Sequence, residues 1–252
     1  YTLSLHDALP LYGADEDQTA VVHPGVDLDQ FSPGDKAQAR ERRGLPQSGI
    51  VLLFVGRIQP LKSPDVVIRA TAAIVEADPA IRDQLTTVVC GGPSGAGPER
   101  LDELRKLAAT LGVADIVRFV PPTTRDELAD WYRSADVVCV PSHSESFGLV
   151  AIEAQACGTP VAAAAVGGLH TAVADGKSGL LVRDHRTETW RDELLGLIRQ
   201  PRLLGGLATN AREHAERFSW NATAAATLEV YRQAAVARAV QSPMASTVRS
   251  SA

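Results

Sequence analysis

Three stretches of this 252-residue chain hold residue types suited to an anionic, hydroxyl-rich ligand. The first, Gly56-Arg57-Ile58-Gln59-Pro60-Leu61-Lys62, carries two cations five positions apart. Gly56 allows a turn and a close backbone approach. Arg57 can grip phosphate oxygens through two parallel hydrogen bonds, and Lys62 adds a compact point charge. Both precede Ser63-Pro64, which reads as an N-cap followed by proline at the first helical position, and a helix start itself favours anions. On composition alone, two solvated surface cations would look the same. The Gly-x4-Gly-Lys-Ser/Thr pattern of a P-loop is absent.

The second stretch is Ser142-His143-Ser144-Glu145-Ser146-Phe147-Gly148. Ser144 and Ser146 read as caps for a helix that would open with unpaired amides and the positive end of its dipole. Glu145 stands before that helix and Glu153 inside it, eight residues on. A carboxylate accepts two hydrogen bonds from a vicinal diol, which suits a ribose or a hexose. Glu145 could equally serve only the helix dipole. Glu153 is harder to dismiss, because Leu149, Val150, Ile152, Ala154 and Ala156 make its helix apolar and an unpaired carboxylate there is costly to bury.

The third is glycine-rich, Gly91-Gly92-Pro93-Ser94-Gly95-Ala96-Gly97, without Gly-x-Gly-x-x-Gly spacing; it reads as a flexible turn rather than a dinucleotide cradle. Gly167-Gly168 could admit a ligand or form a tight turn. No two of the six histidines have ligand spacing, and Cys90, Cys139 and Cys157 lie too far apart for a metal pair and read as packed thiols.

These stretches need a scaffold, and the chain repeats apolar strand, turn and amphipathic helix. Strands are predicted at 50–55, 86–90, 116–120, 137–140, 161–165 and 179–182. The continuous apolar runs suit strands buried on both faces. Helices follow: Val66, Ala70, Ile74 and Ala77 share one face, as do Leu101, Leu104, Ala108 and Leu111. Thr124-x-x-Glu127 is a capping box for a helix turning Leu128, Trp131, Tyr132 and Ala135 inward. Further helices are predicted at about 147–157, 187–199, 203–217 and 219–239. The fold class is therefore α/β, a doubly wound, Rossmann-like parallel sheet. Such sheets bind ligands beyond their carboxyl edges, here the loops 56–63, 91–98, 121–124, 141–147 and 166–170.

Residues 21–240 form one domain on this reading. Residues 1–20 match no element; a cloning or assembly artefact or a short native helix would explain them. Residues 241–252 are Ser-rich and are expected to be a mobile tail. Apolar residues make up 45% and charged ones 22%, an ordinary soluble composition. A net charge of −5 offers no attraction to nucleic acid or anionic membrane. No run spans a bilayer and no segment reads as a secretory signal, so a cytoplasmic setting is expected.

Gly56-Arg57 with Lys62, followed by Glu145-Ser-Phe-Gly-Leu-Val-Ala-Ile-Glu153, resembles the GT-B glycosyltransferases of family 4. The likeness covers roughly residues 21–240 and implies the C-terminal, donor-binding half of that fold. His23-Pro-Gly-Val-Asp27 with Phe31 looks like the entry from the inter-domain linker. Gly56–Asp65, Gly91–Gly95, Glu153–Pro160, Val166–Leu169 and Arg217–Trp220 resemble the actinobacterial subfamily that begins mycothiol synthesis. His143, Ser144 and His170 depart from residues common in the family.

The resemblance implies a retaining transferase moving N-acetylglucosamine from UDP-N-acetylglucosamine to 1D-myo-inositol 3-phosphate. Its acceptor domain would lie upstream of this chain, so the fragment alone is expected to be inactive. Another family-4 hexosyltransferase, or a non-catalytic nucleotide-sugar-binding module, would carry the same motifs. Implied roles are diphosphate binding and leaving-group neutralisation for Arg57 and Lys62, beside the turn at Gly56. Amides around Phe147, Gly148 and Leu149 would hold the distal phosphate. Glu145 would contact sugar hydroxyls, Glu153 the ribose diol, and the Thr123 main chain the uracil. No general base is expected from this half, because related enzymes attack from the front face with the leaving phosphate assisting deprotonation. The resemblance also implies a structural magnesium held by main-chain oxygens at Tyr132, Arg133, Ala135 and Thr159. A homodimer is one partner expectation, and the sequence leaves the oligomeric state open.

Overall fold

A computed structural model describes residues 19–92 and 99–241. The expectations for residues 1–18 and 242–252, and for the part of the glycine-rich run beyond Gly92, lie outside those residues.

Six strands, β1 (Ile50–Val55), β2 (Leu85–Cys90), β3 (Val117–Val120), β4 (Val137–Val140), β5 (Val161–Ala164) and β6 (Gly179–Val182), form one sheet in the order β3-β2-β1-β4-β5-β6. Every pairing between neighbours is parallel. Alternate residues of each strand enter two separate cores. Val51, Leu53, Val138, Val140, Val161 and Ala163 face one; Leu52, Phe54, Val137, Cys139, Ala162 and Ala164 face the other. With both faces buried, period-two polarity has no place, and the strands read as unbroken apolar runs.

Nine α-helices cover the two faces among the described residues: α1 (Lys36–Arg43), α2 (Pro64–Ala77), α3 (Glu99–Thr110), α4 (Arg125–Ser134), α5 (Leu149–Ala156), α6 (Leu169–Ala172), α7 (Thr187–Ile198), α8 (Pro201–Glu216) and α9 (Trp220–Gln241). The first core takes Ala129 and Tyr132 from α4 and Ala151 and Ile152 from α5. The second takes Val67, Ile68 and Ile74 from α2, Leu104 and Ala108 from α3, and Trp190 and Leu194 from α7. The strand order runs outward from β1 on one side and from β4 on the other. The crevice between the loops that leave β1 and β4 is thus the switch point of the sheet.

The structure corrects several local expectations. The sequence periodicity does not predict α1, whose residues are mostly charged. Asp35 caps it by accepting the Gln38 N–H at 3.0 Å, and Gly44 closes it in the left-handed conformation. Its hold is ionic: Arg40, 4% exposed, donates to the Asp136 carboxylate at 2.6 Å and to the Ser134 carbonyl at 3.1 Å, while Arg42 grips Asp130 with two bonds of 2.7 and 2.9 Å. Ser63 does not cap α2; its hydroxyl donates to the Pro60 carbonyl at 2.9 Å from a left-handed backbone with φ of 49°. Neither Ser144 nor Ser146 caps α5, which begins two residues later than predicted, behind Gly148 at φ of 101°. The capping box of Thr124 and Glu127 forms as read.

All three cysteines are free and buried, in line with packed thiols. Burial pushes Cys90 up to about 11 and Cys139 and Cys157 up to about 12, which leaves them protonated and unreactive near neutrality.

Candidate functional site

The loops leaving β1, β2 and β3 are tied to one another. Gly56 N–H donates to the Cys90 carbonyl at 3.0 Å, Ile58 N–H to Gly92 at 2.9 Å, and Gly91 N–H to Val120 at 2.9 Å. Gly91 has φ of 153°, and a Cβ there would lie 1.8 Å from the Gly56 carbonyl oxygen. Gly91 is therefore spent on packing loop against loop.

From this platform the chain passes Arg57, exposed and without an ion pair or hydrogen bond among the described residues, into the 3₁₀ turn Pro60–Lys62. That turn carries the Lys62 ammonium onto the Glu145 carboxylate. The Ser142 hydroxyl stands 3.5 Å from the same carboxylate oxygen. The main chain of Glu145 is held from the far side of the crevice, where Gly168 N–H donates to its carbonyl at 2.8 Å. A Cβ on Gly167 would lie 2.3 Å from that carbonyl oxygen, and one on Gly168 2.2 Å from the carbonyl oxygen of Ser146. The paired glycines thus form a tight turn against the Glu145 loop, and the same turn borders the crevice.

Gly148 opens α5 without a side-chain cap, and the amides of residues 147–150 meet no acceptor among the described residues. Four successive N–H groups are available to an anion, reinforced by the helix dipole. They border a cleft of about 480 Å³ that is also lined by Lys62, Glu145, Gly167 and Gly168. The linker segment supplies its remaining wall: the His23 ring stacks on Phe147 at 5.2 Å with an 18° tilt.

Of the predicted nucleotide residues, Lys62, Glu145, Phe147, Gly148 and Leu149 line this cleft, whereas Gly56, Arg57, Thr123 and Glu153 do not. Glu153 is not the unpaired carboxylate that its apolar helix implied. The Tyr132 hydroxyl on α4 donates to it at 2.8 Å. Burial holds the Glu153 carboxyl above its ordinary range, opposed by the Tyr132 hydrogen bond and by the charge of Arg125. Burial likewise pushes Tyr132 well above the usual phenol value, with the Glu153 charge adding to it, so the phenol stays a donor. Thr123 follows β3, and its buried hydroxyl oxygen has no hydrogen-bond partner among the described residues.

The positions expected to hold magnesium are close together but engaged. The Tyr132 carbonyl accepts the Thr159 hydroxyl at 2.7 Å and the Ala135 N–H at 3.2 Å. The Arg133 side chain donates to the Ser32 carbonyl at 2.8 Å and to Asp130 at 3.2 Å. Magnesium requires a near-octahedral set of oxygens. Here protein donors take both lone pairs of the Tyr132 carbonyl, and no cluster of three or more His, Cys, Asp or Glu occurs among the described residues. Of the four expected main-chain oxygens, that of Tyr132 is thus already taken by two protein donors, and no step below runs through a metal ion.

A sequence profile for the glycosyl transferases group 1 family matches residues 35–218, which takes in β1, the Lys62 turn, Glu145 and Glu153. The chain belongs to the glycosyl transferases group 1 family. Within it, the chain is 58% identical over 221 residues to D-inositol 3-phosphate glycosyltransferase 2 of Catenulispora acidiphila, covering 88% of this chain and 52% of that protein. It therefore spans about half the length of the curated relatives it matches. Sucrose-phosphate synthase from Thermosynechococcus elongatus superposes with a TM-score of 0.79 at 33% identity, covering 94% of this chain and 58% of that one. Anabaena Alr3699/HepE, solved in complex with UDP-glucose, superposes at 0.78 with 23% identity over 93% of this chain and 63% of its own, a likeness of fold. These neighbours identify the six-stranded sheet as one Rossmann-like half of a GT-B glycosyltransferase. Among the described residues of this group 1 domain, no helix is long and apolar enough to cross a membrane.

Two contributors escape the sequence reading. Tyr132 was expected as an inward-facing helix residue and, toward a ligand, through its main chain, yet its hydroxyl holds Glu153. His185 lies in the loop after β6, and its Nε2 stands 3.1 and 3.2 Å from the carbonyls of Pro141 and Ser142. Neither has a local spacing that would have revealed it.

Proposed function

We propose that this domain binds a UDP-sugar and forms the donor half of a retaining glycosyltransferase. The observation that carries the reading is the Lys62–Glu145 pair beside the four open amides of residues 147–150, at the switch point of the sheet. Diphosphate oxygens would take the amides, with Lys62 and the exposed Arg57 as counter-charges. These cations would neutralise the charge that grows on the leaving phosphate as the anomeric bond breaks. Glu145 would accept hydroxyls of the sugar, Glu153 the ribose diol, and the Thr123 main chain would meet the uracil. The acceptor oxygen would attack from the face that the UDP leaves, its proton passing to the departing phosphate. No side chain of this half then acts as a base.

For substrates, we favour N-acetylglucosamine transfer from UDP-N-acetylglucosamine to 1D-myo-inositol 3-phosphate, the first reaction of mycothiol synthesis. The 58% identity to a D-inositol 3-phosphate glycosyltransferase supports that acceptor, and the UDP-glucose complex of Alr3699/HepE supports a uridine donor. A different hexosyltransferase is the second reading, favoured by the likeness to sucrose-phosphate synthase at 33% identity. The test is product mass spectrometry with both substrates, on this chain joined to the coding sequence that precedes it in its gene. An inositol phosphate heavier by one N-acetylhexosamine is the expected product. Transfer of a plain hexose, or to another acceptor, selects the second reading.

A further inference from the structure

His185 sits in the four-residue loop between β6 and α7, at the edge of the sheet, two strands away from β4. From there its ring reaches across the end of β5 to the loop that carries Glu145. Its Nε2 lies 3.1 Å from the Pro141 carbonyl and 3.2 Å from the Ser142 carbonyl. Carbonyl oxygens only accept, so Nε2 carries the proton and donates to both.

The support behind the ring is rigid. The Asp184 carbonyl accepts the Trp190 indole N–H at 2.9 Å, Trp190 is fully buried, and the Asp184 carboxylate accepts the Arg186 N–H at 3.0 Å. In front, the His185 ring meets that of His143 at 4.1 Å, and His143 N–H donates to the Leu61 carbonyl at 2.9 Å. One histidine thus braces the Glu145 loop, while its stacking partner ties that loop to the turn that presents Lys62.

Resting on the reading of Glu145 as the donor-sugar contact, we propose that His185 is a positioning residue for Glu145. Besides the His143 N–H bond to Leu61, the Glu145 main chain is restrained on both sides. Gly168 N–H fixes its own carbonyl at 2.8 Å, and His185 fixes the chain three and four residues upstream. Among the described residues, the polar partners of the side chain are Lys62 and the hydroxyl of Ser142, whose carbonyl His185 holds. Without the His185 bonds, two carbonyls of the buried residues Pro141 and Ser142 lose their donor, and the strand-to-helix segment can move Glu145 off the sugar. The amides of residues 147–150 are anchored separately by the Gly148 turn and α5, so the diphosphate subsite should hold its shape.

The test is calorimetric titration of the 252-residue chain with UDP and with UDP-N-acetylglucosamine, for the parent, His185→Ala, His185→Gln, Glu145→Gln and the double variant His185→Ala/Glu145→Gln. His185→Ala is expected to weaken the sugar nucleotide roughly tenfold and UDP less than twofold, with His185→Gln, which keeps an N–H, recovering most of the loss. In the Glu145→Gln background the same His185→Ala change should cost nothing further. A brace that serves stability alone would weaken both ligands in parallel, or would cost as much in the Glu145→Gln background, and either result overturns the proposal. An unchanged ratio of the two affinities in His185→Ala overturns it too while leaving the donor reading intact. Absence of UDP binding by the parent defeats the donor reading itself. Should His185→Ala fail to fold, His185→Phe, which keeps the stacked ring and lacks the N–H, makes the same comparison.

Discussion

The Tyr132 hydroxyl donates to the Glu153 carboxylate at 2.8 Å, joining α4 to α5 across the first core. A phenol held well above its normal range and a carboxyl held above its own are both products of burial. The pair is a polar contact inside an apolar layer, and its single hydrogen bond offsets part of the cost of keeping Glu153 ionised there. It leaves further acceptor positions on the carboxylate for hydroxyls of a ligand.

Tyr132→Phe removes that donor and should cost about 1–3 kcal/mol in unfolding free energy at neutral pH. The sign with pH follows from Glu153. Its folded carboxyl is raised, so the folded state prefers the protonated form, and stability falls as pH rises from the unfolded carboxyl value through the folded one. Losing the hydrogen bond raises the folded value further, so the variant's deficit should be larger at pH 7 than at pH 4. Denaturant unfolding of both proteins at the two pH values measures it; equal deficits would mean that the bond does not favour the ionised form.

Arg57→Ala should weaken UDP by about 1.5–3 kcal/mol, the usual range for hydrogen bonds to a charged group. Because the guanidinium is exposed and makes no hydrogen bond or ion pair among the described residues, the thermal midpoint should not move. Calorimetry and a melting curve separate the two effects. Affinity within a factor of two of the parent returns Arg57 to the solvated surface, consistent with its position outside the lining of the cleft.

The thiols should resist alkylation in the folded protein. With Cys90 at about 11 and Cys139 and Cys157 at about 12, almost no thiolate exists at pH 8, and burial blocks the reagent as well. An aromatic disulfide reagent should titrate all three cysteines in guanidinium and essentially none in buffer. Rapid labelling of one thiol in the native protein would show that its core opens locally.

Legibility in the sequence divides along physical lines. Strands such as Ile50–Val55 and Val137–Val140 were plain because burial on both faces leaves unbroken apolar runs. The convergence of Lys62 with Glu145 followed from their positions on loops at one sheet edge. Helix Lys36–Arg43 was not legible, since its hold comes from ion pairs to Asp130 on α4 and to Asp136 just after it rather than from an apolar stripe. The caps on α2 and α5 were misassigned because Ser63 and Gly148 take left-handed backbones, and no side-chain oxygen then reaches the first amides. Tyr132 and Glu153 stand 21 residues apart, and His185 lies 43 and 44 residues from its acceptors, so only the tertiary fold reveals those contacts.

The two glutamates should separate by ligand. Glu145 lies in the mouth of the cleft with Lys62, where a sugar attached to the distal phosphate would sit. Glu153 is one turn inside α5, away from that lining and held by Tyr132. Two carboxylates working on one glycosidic bond in hydrolysis stand within about 5–10 Å across it. Here one is salt-bridged at the cleft and the other is anchored to a different helix, which suits contacts to two parts of one extended molecule. Glu153→Gln keeps the size and still accepts the Tyr132 hydroxyl through its amide oxygen, but loses the charge that would accept both ribose hydroxyls. It should therefore weaken UDP and UDP-N-acetylglucosamine equally, by about 1.5–3 kcal/mol. Glu145→Gln removes the partner of Lys62 without removing a phosphate contact, so UDP should bind at least as well as to the parent, while the sugar nucleotide binds more weakly. Calorimetry with both ligands on both variants gives four affinities. Should Glu145→Gln weaken bare UDP as much as Glu153→Gln does, the assignment of sugar to one glutamate and ribose to the other is wrong.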